Sequence, residues 1–234
     1  MSKLRTSRFL PMHSVVNTIG LNAPYSKSSG PYTAETYQRR DEHKARTGNK
    51  HEESYVLTLH TDQQHHQLMT SMRTRYFPPR LNKLNAHIAL FRALPSSRLP
   101  QIIHDIESLT QSQPTFEVFA TKAFLMKRGV GIHVDDTEGQ AEAIFQQLKA
   151  KWESFLSQQD RRFKPHYTLQ NKVDDEAVVR KTFNEVNEQF HGSRGQVTAL
   201  TLYKYQQGFW KEAQSFSFHE NPQIGAGGTM SGTK

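Results

Sequence analysis

The 234 residues predict an α+β fold of two similar strand–helix lobes, with antiparallel or mixed sheets around a central cleft. Three features point there. Segments with strand alternation and segments with helical spacing follow one another along the chain, yet the last two read as adjoining strands. The stretches NAHIALFRAL at 85–94 and KPHYTLQNKV at 164–173 each set a histidine at the head of a short apolar run, with a small residue two positions on. Those histidines lie 79 residues apart, and a helical pattern follows each, as a duplicated lobe would give.

Regular patterning begins at residue 54. SYVLTLHT alternates and is rich in β-formers, so it reads as a strand. Asp62 is placed to cap the next helix, which turns Leu68, Met69 and Met72 inward and ends before Pro78-Pro79. LNAHIALFRAL is a second strand, closed by Pro95. In SRLPQIIHDIESLTQ the positions of Leu99, Ile102, Ile103, Ile106 and Leu109 mark a helix with one apolar stripe. TFEVFATKAFLMKRGVGIHVD reads as two strands joined around Lys122 or Gly129. A long helix is expected over TEGQAEAIFQQLKAKWESFL, capped by Thr137, with Ala141, Ile144, Leu148 and Phe155 inward. KPHYTLQNKV is again a strand, and DDEAVVRKTFNEVNEQF a helix whose acidic start suits its dipole. GQVTALTLYKYQ and EAQSFSFHE close the fold as strands.

The patterned region, 51–220, is long enough for one domain of two small lobes sharing a core. Residues 1–50 hold few large apolar side chains and read as a flexible or partly helical extension, with a charged helix over 33–46. Residues 221–234 are rich in Gly, Ser and Thr and read as a flexible tail. With no cysteine, disulfides and thiolate metal sites are excluded and the compartment stays open. Glu35 is the first acidic residue, after Lys3, Arg5, Arg8 and Lys27. That composition fits a mitochondrial transit peptide as well as an ordinary extension, so the reading leans to the cytoplasm and keeps the mitochondrion open. No apolar run approaches the roughly 18 residues that span a membrane. A net charge of +8 and a pI near 9.6 favour a polyanionic partner, RNA ahead of a lipid surface. A monomer is expected.

Side chains on a strand alternate between faces. His87 therefore shares a face with Ala89, and His166 with Thr168, while Ile88, Leu90, Tyr167 and Leu169 take the opposite, core-facing side. If the two polar faces meet, the cleft holds two imidazoles and a hydroxyl. Near neutral pH one ring takes a proton from an attacking oxygen while the other gives one to a leaving oxygen, the chemistry of phosphodiester cleavage. Thr168 is placed to donate to a phosphate oxygen as charge builds there.

HIAL at 87–90 and HYTL at 166–169 resemble the pattern His–x–Thr/Ser–hydrophobic that occurs twice on strands in the two-histidine phosphoesterase superfamily, the 2′-5′ RNA ligase-like proteins. FKPHYTL at 163–169 is especially similar, and the resemblance spans about residues 54–220. It implies a phosphodiesterase acting on 2′,3′-cyclic phosphate RNA ends or cyclic nucleotides, without metal or other cofactor. His87 and His166 would be the acid–base pair and Thr168 the phosphate donor. The departure is Ala89, where the family usually carries Thr or Ser. Losing one transition-state donor costs on the order of 10²–10³ in rate, so a catalytically weak or inactive RNA- or nucleotide-binding module of the same fold is the alternative. A protein-interaction domain with two structural histidines is a third reading.

Three further residues are expected at the substrate: Lys164 by strand parity, Arg128 beside the glycines of GVGIHV, and Tyr203, with Tyr205, as a substitute hydroxyl. Phe209 and Trp210, beside Gly208 in a hairpin, are candidates to stack on a base, as are Tyr76 and Phe77, whereas Tyr167 has core parity. No metal site is expected. His65 and His66 point about 100° apart on a helix, and Asp135 and Asp136 sit at a helix start that carboxylates favour.

Overall fold

The structure is a computed structural model that describes residues 51–220 together with Ala45, Thr47 and Asn49. The expected helix over 33–46, but for Ala45, and the tail at 221–234 lie outside the described residues. The first half contains β1 (Ser54–Thr61), α1 (Gln63–Tyr76), β2 (Ile88–Pro95) and α2 (Leu99–Thr110). The hairpin β3 (Phe116–Met126) and β4 (Gly129–Asp135) leads to α3 (Gln140–Trp152), β5 (His166–Gln170) and α4 (Glu176–Gln189). A closing hairpin joins β6 (Ser193–Gln206) to β7 (Phe209–Ser217).

The α+β expectation holds, and every strand ladder is antiparallel. The two halves share one sheet in the order β2-β1-β6-β3-β4-β5. Strand β6 joins them: it pairs with β1 along one edge, and with β3 and then β7 along the other. The histidine strands β2 and β5 are thus the two ends of the order. The sheet curls enough to bring those ends within 8 Å of each other between Cα atoms.

Apolar side chains from the four helices and one sheet face make a single core that includes Leu57, Phe91, Ile106, Phe145, Trp152 and Tyr167. Helix α1 differs from its expected phase. Its inward stripe is His65, Met69 and Arg73, while Leu68 is 42% exposed and Met72 only packs at the margin. The polar pair wins because both ends of the stripe find partners. His65 Nδ1 meets Ser193 Oγ at 2.9 Å, and the Arg73 guanidinium reaches three acceptors described below. Asp62 caps the helix as expected, accepting from the His65 amide at 3.0 Å.

Four other boundaries differ. Helix α3 begins at Gln140 behind Gly139, whose φ of 68° is left-handed, and Asp136 rather than Thr137 accepts its Ala141 amide. It ends at Trp152, whose indole donates to Asp105 at 2.9 Å, and the chain then turns so that Phe155 lies partly buried outside the helix. Lys122 falls inside β3; the hairpin turns at Lys127 and Arg128. Strand β7 starts at Phe209, earlier than its alternation indicates, because Glu212 at φ 51° breaks the pleat. Among the described residues, no helix is long and apolar enough to cross a membrane.

Candidate active site

The expected alternation holds around both histidines, although His87 stands one residue before β2 begins. Ile88, Leu90, Tyr167 and Leu169 are buried, whereas His87, Ala89, His166 and Thr168 are half-exposed. Each imidazole is anchored in the same way. His87 Nδ1 lies 2.8 Å from the Asn85 carbonyl oxygen, and His166 Nδ1 lies 2.7 Å from that of Lys164, two residues upstream in each case. A carbonyl can only accept, so Nδ1 carries the proton in both rings and the lone pair of a neutral ring sits on Nε2. Each ring also rests against an aromatic: His87 on Trp210 at 4.3 Å between centroids, His166 edge-on to Phe124 at 5.7 Å.

The face around His166 holds more than the sequence reading found. His133 stands directly opposite His166 in the β4–β5 register and stacks on Phe124 at 4.2 Å. Gly131, opposite Thr168, makes room for that ring, since a Cβ there would come within 2.6 Å of Phe124. Gly129 in turn admits the Gln170 carbonyl, which would lie 1.9 Å from a Cβ. Both glycines of GVGIHV therefore serve internal packing, not the approach of a ligand. Burial pushes His166 below its ordinary imidazole value; its hydrogen bond to Lys164 opposes this, and the charges of Arg92 and His133 add to the lowering. Arg92, on β2, is thus felt at the histidine of β5. Its backbone amide is held at 2.8 Å by the buried carboxylate of Asp160.

A second link joins the two motifs. Arg73 is 5% exposed and carries its charge inside the protein. Its Nε donates to Asn82 Oδ1 and to the Leu84 carbonyl, each at 3.0 Å, and its Nη1 donates to the Thr168 carbonyl at 2.7 Å. Its guanidinium carbon lies 4.0 Å from the centre of the Phe77 ring, and desolvation lowers it to about 10. One side chain thereby ties the segment entering His87 to the strand carrying His166 and Thr168.

The remaining expected residues divide. Tyr203 lies against Trp210 at 5.1 Å, the same indole on which His87 rests; burial raises its hydroxyl, with Thr201 acting in the opposite direction. Lys164 enters the site through its carbonyl, while its side chain is exposed. Arg128 is not brought to the histidines. It pairs with Asp174 at 2.7 Å in the β3–β4 turn. That turn is five residues, or about 16 Å of extended strand, from the position opposite His166. Phe77 is buried under Arg73, and Tyr167 is core as its parity predicts. Opposite Ala89 stands Thr58, buried, with its hydroxyl 3.4 Å from the Thr201 carbonyl. His65 and His66 diverge as expected. Among the described residues no group of three or more metal-ligating side chains gathers.

Strand parity is enough to find His133, which alternates with Gly131 in GVGIHVD. Arg73, Arg92 and Phe124 carry no local signal, because their roles come from contacts made across the sheet.

Known proteins share this arrangement of strands and helices. A family model described as the 2′-5′ RNA ligase superfamily matches residues 61–209, a span that holds both histidine strands. Among solved structures, LigT of E. coli in complex with 3′-AMP superposes with a TM-score of 0.51 at 16% identity. The match covers 70% of this chain and 98% of that one. TT0787 of Thermus thermophilus gives 0.48 at 15% identity, covering 71% and 98%. No match is found among curated proteins.

Proposed function

This chain belongs to the 2′-5′ RNA ligase superfamily, and from that premise we propose that it is a phosphodiesterase opening 2′,3′-cyclic phosphates at RNA ends or on small nucleotides. The observation that carries the reading is the matched anchoring of His87 and His166, each with Nδ1–H tied to a carbonyl two residues upstream. Such a ring accepts a proton at Nε2 when neutral and donates one from Nε2 when charged, without turning.

The lowered value of His166 suits it to be the base. Neutral at pH 7, its Nε2 takes a proton from water as the water oxygen bonds to phosphorus. The bond from phosphorus to one ribose oxygen breaks, and protonated His87 gives that oxygen the Nε2 proton. Thr168 donates to a non-bridging oxygen, Arg92, whose charge reaches His166, supplies positive potential, and Arg73 holds the Thr168 carbonyl. Tyr203 and Lys164 complete the proposed substrate contacts.

The test is phosphorus NMR of a short RNA ending in a 2′,3′-cyclic phosphate, with EDTA present. The cyclic signal converting to one monoester supports the reading, and EDTA-sensitive conversion would contradict a purely imidazole mechanism. One observation favours a second reading: the hydroxyl of Thr58 opposite Ala89 is buried against Thr201, so it does not present itself to the phosphate. Tight binding of the RNA with a persistent cyclic signal at high enzyme concentration would select a binding module instead.

A pH profile follows from His166. Its lowered value places the acidic limb of kcat/KM below the usual imidazole range, and activity is lost as pH falls through it because the base becomes protonated. His133→Ala removes a charge that lowers His166. The limb is expected to move upward in that variant; an unmoved limb would detach it from His166.

A further inference from the structure

A cavity of about 550 Å³ opens at the head of α1, within the size range of small-molecule sites. Its wall includes His60, His66, Gln63, Gln67, Ser71 and Asn85. Asn85 is shared with the site, since its carbonyl takes the His87 Nδ1–H. The β1–β2 register, Leu59 with Ile88, carried one step further sets His60 opposite His87. The cavity therefore adjoins the His87 side of the cleft.

Its chemistry differs from that of a phosphate site. Among the described residues lining it, none is Lys or Arg. Asp62 spends both carboxylate oxygens inside the protein, on the backbone amides of His65 and Gln196. His60 and His66 pack edge to face at 6.1 Å, and the buried Nε2 of His66 has no hydrogen-bond partner. Burial, with His60 beside it, keeps His66 below its ordinary value and hence neutral at pH 7. A wall of imidazole, hydroxyl and primary amide that holds the Asp62 carboxylate and no Lys or Arg is a poor fit for a phosphate. It suits a planar heterocycle: amides offer a paired donor and acceptor to a base edge, and rings offer a stacking face.

We propose that this cavity is the base-binding subsite, holding the nucleobase of the nucleotide whose phosphate reacts at His87. The proposal rests on the phosphodiesterase reading, and its test separates the two. Ser71 is exposed on α1, so Ser71→Trp fills the cavity without disturbing the core. Turnover of the four 2′,3′-cyclic nucleoside monophosphates would be compared with that of base-free ribose 2′,3′-cyclic phosphate. Saturation-transfer NMR would report binding of the four free nucleosides, which needs no catalysis. Ser71→Trp is expected to cut the preference for base-bearing substrates at least tenfold and to remove the nucleoside signal. Leu68→Ser, exposed on the same helix outside the cavity, keeps both. Nucleosides that fail to bind wild type, or bind Ser71→Trp as well as wild type, would overturn the subsite even where cyclic phosphates are opened. Should wild type open no cyclic phosphate, the phosphodiesterase reading fails, and the nucleoside signal still decides the subsite.

Discussion

Alanine at His166 is expected to slow opening of a 2′,3′-cyclic phosphate by about 10²–10⁴-fold, the range lost with a positioned general base. KM should change little, because Thr168 and the positive side chains remain. The effect is chemical and not a folding defect: His166 is half-exposed, and the neighbouring Tyr167 and Leu169 carry the packing of β5. Circular dichroism and the thermal midpoint of the variant should stay close to wild type. A variant that keeps more than a tenth of wild-type turnover would remove His166 from the chemistry.

Arg73→Met is expected to have the largest effect on stability. Methionine fits the apolar stem of arginine but leaves the carbonyls of Leu84 and Thr168 and the Asn82 amide oxygen without their donor. Each buried acceptor left unmade costs about 1–3 kcal/mol, so a loss of about 3 kcal/mol or more is expected in urea unfolding. Loss of the buried charge offsets part of this, since a guanidinium held without a carboxylate is itself costly. The variant should also lose activity at temperatures where it is fully folded, because the segment leading to His87 and the strand of Thr168 are no longer tied. Full activity in the folded variant would reduce Arg73 to a packing residue. Arg73→Lys separates the two roles further: it keeps the charge but cannot reach three acceptors with one planar fork.

Legibility differs by range. Strand β1 spans the residues its alternation marks, and the His/small-residue face of β2 and β5 follows from a period of two. These are local consequences of the backbone. Helix α1 has only Leu68, Met69 and Met72 to set its phase, and the choice of an inward His65 and Arg73 depends on Ser193 and Thr168, more than ninety residues away. No local pattern encodes that. The same limit applies to Arg92, whose field reaches His166 only because the sheet curls its two ends together. Arg128 shows the converse. Its place beside two glycines is plain in the sequence, but the glycines admit Phe124 and the Gln170 carbonyl, and Asp174 takes the charge.

The central claim is that two histidines at opposite ends of one sheet act as a single acid–base pair, and a double-mutant comparison tests it most directly. Turnover of a 2′,3′-cyclic phosphate would be measured for His87→Ala, His166→Ala and the double variant. Groups that act as a unit are not additive. The account predicts that the double variant is no slower than the slower single variant by more than about threefold. A double variant slowed by the product of the two single losses would mean that the histidines act independently, and would contradict the shared site.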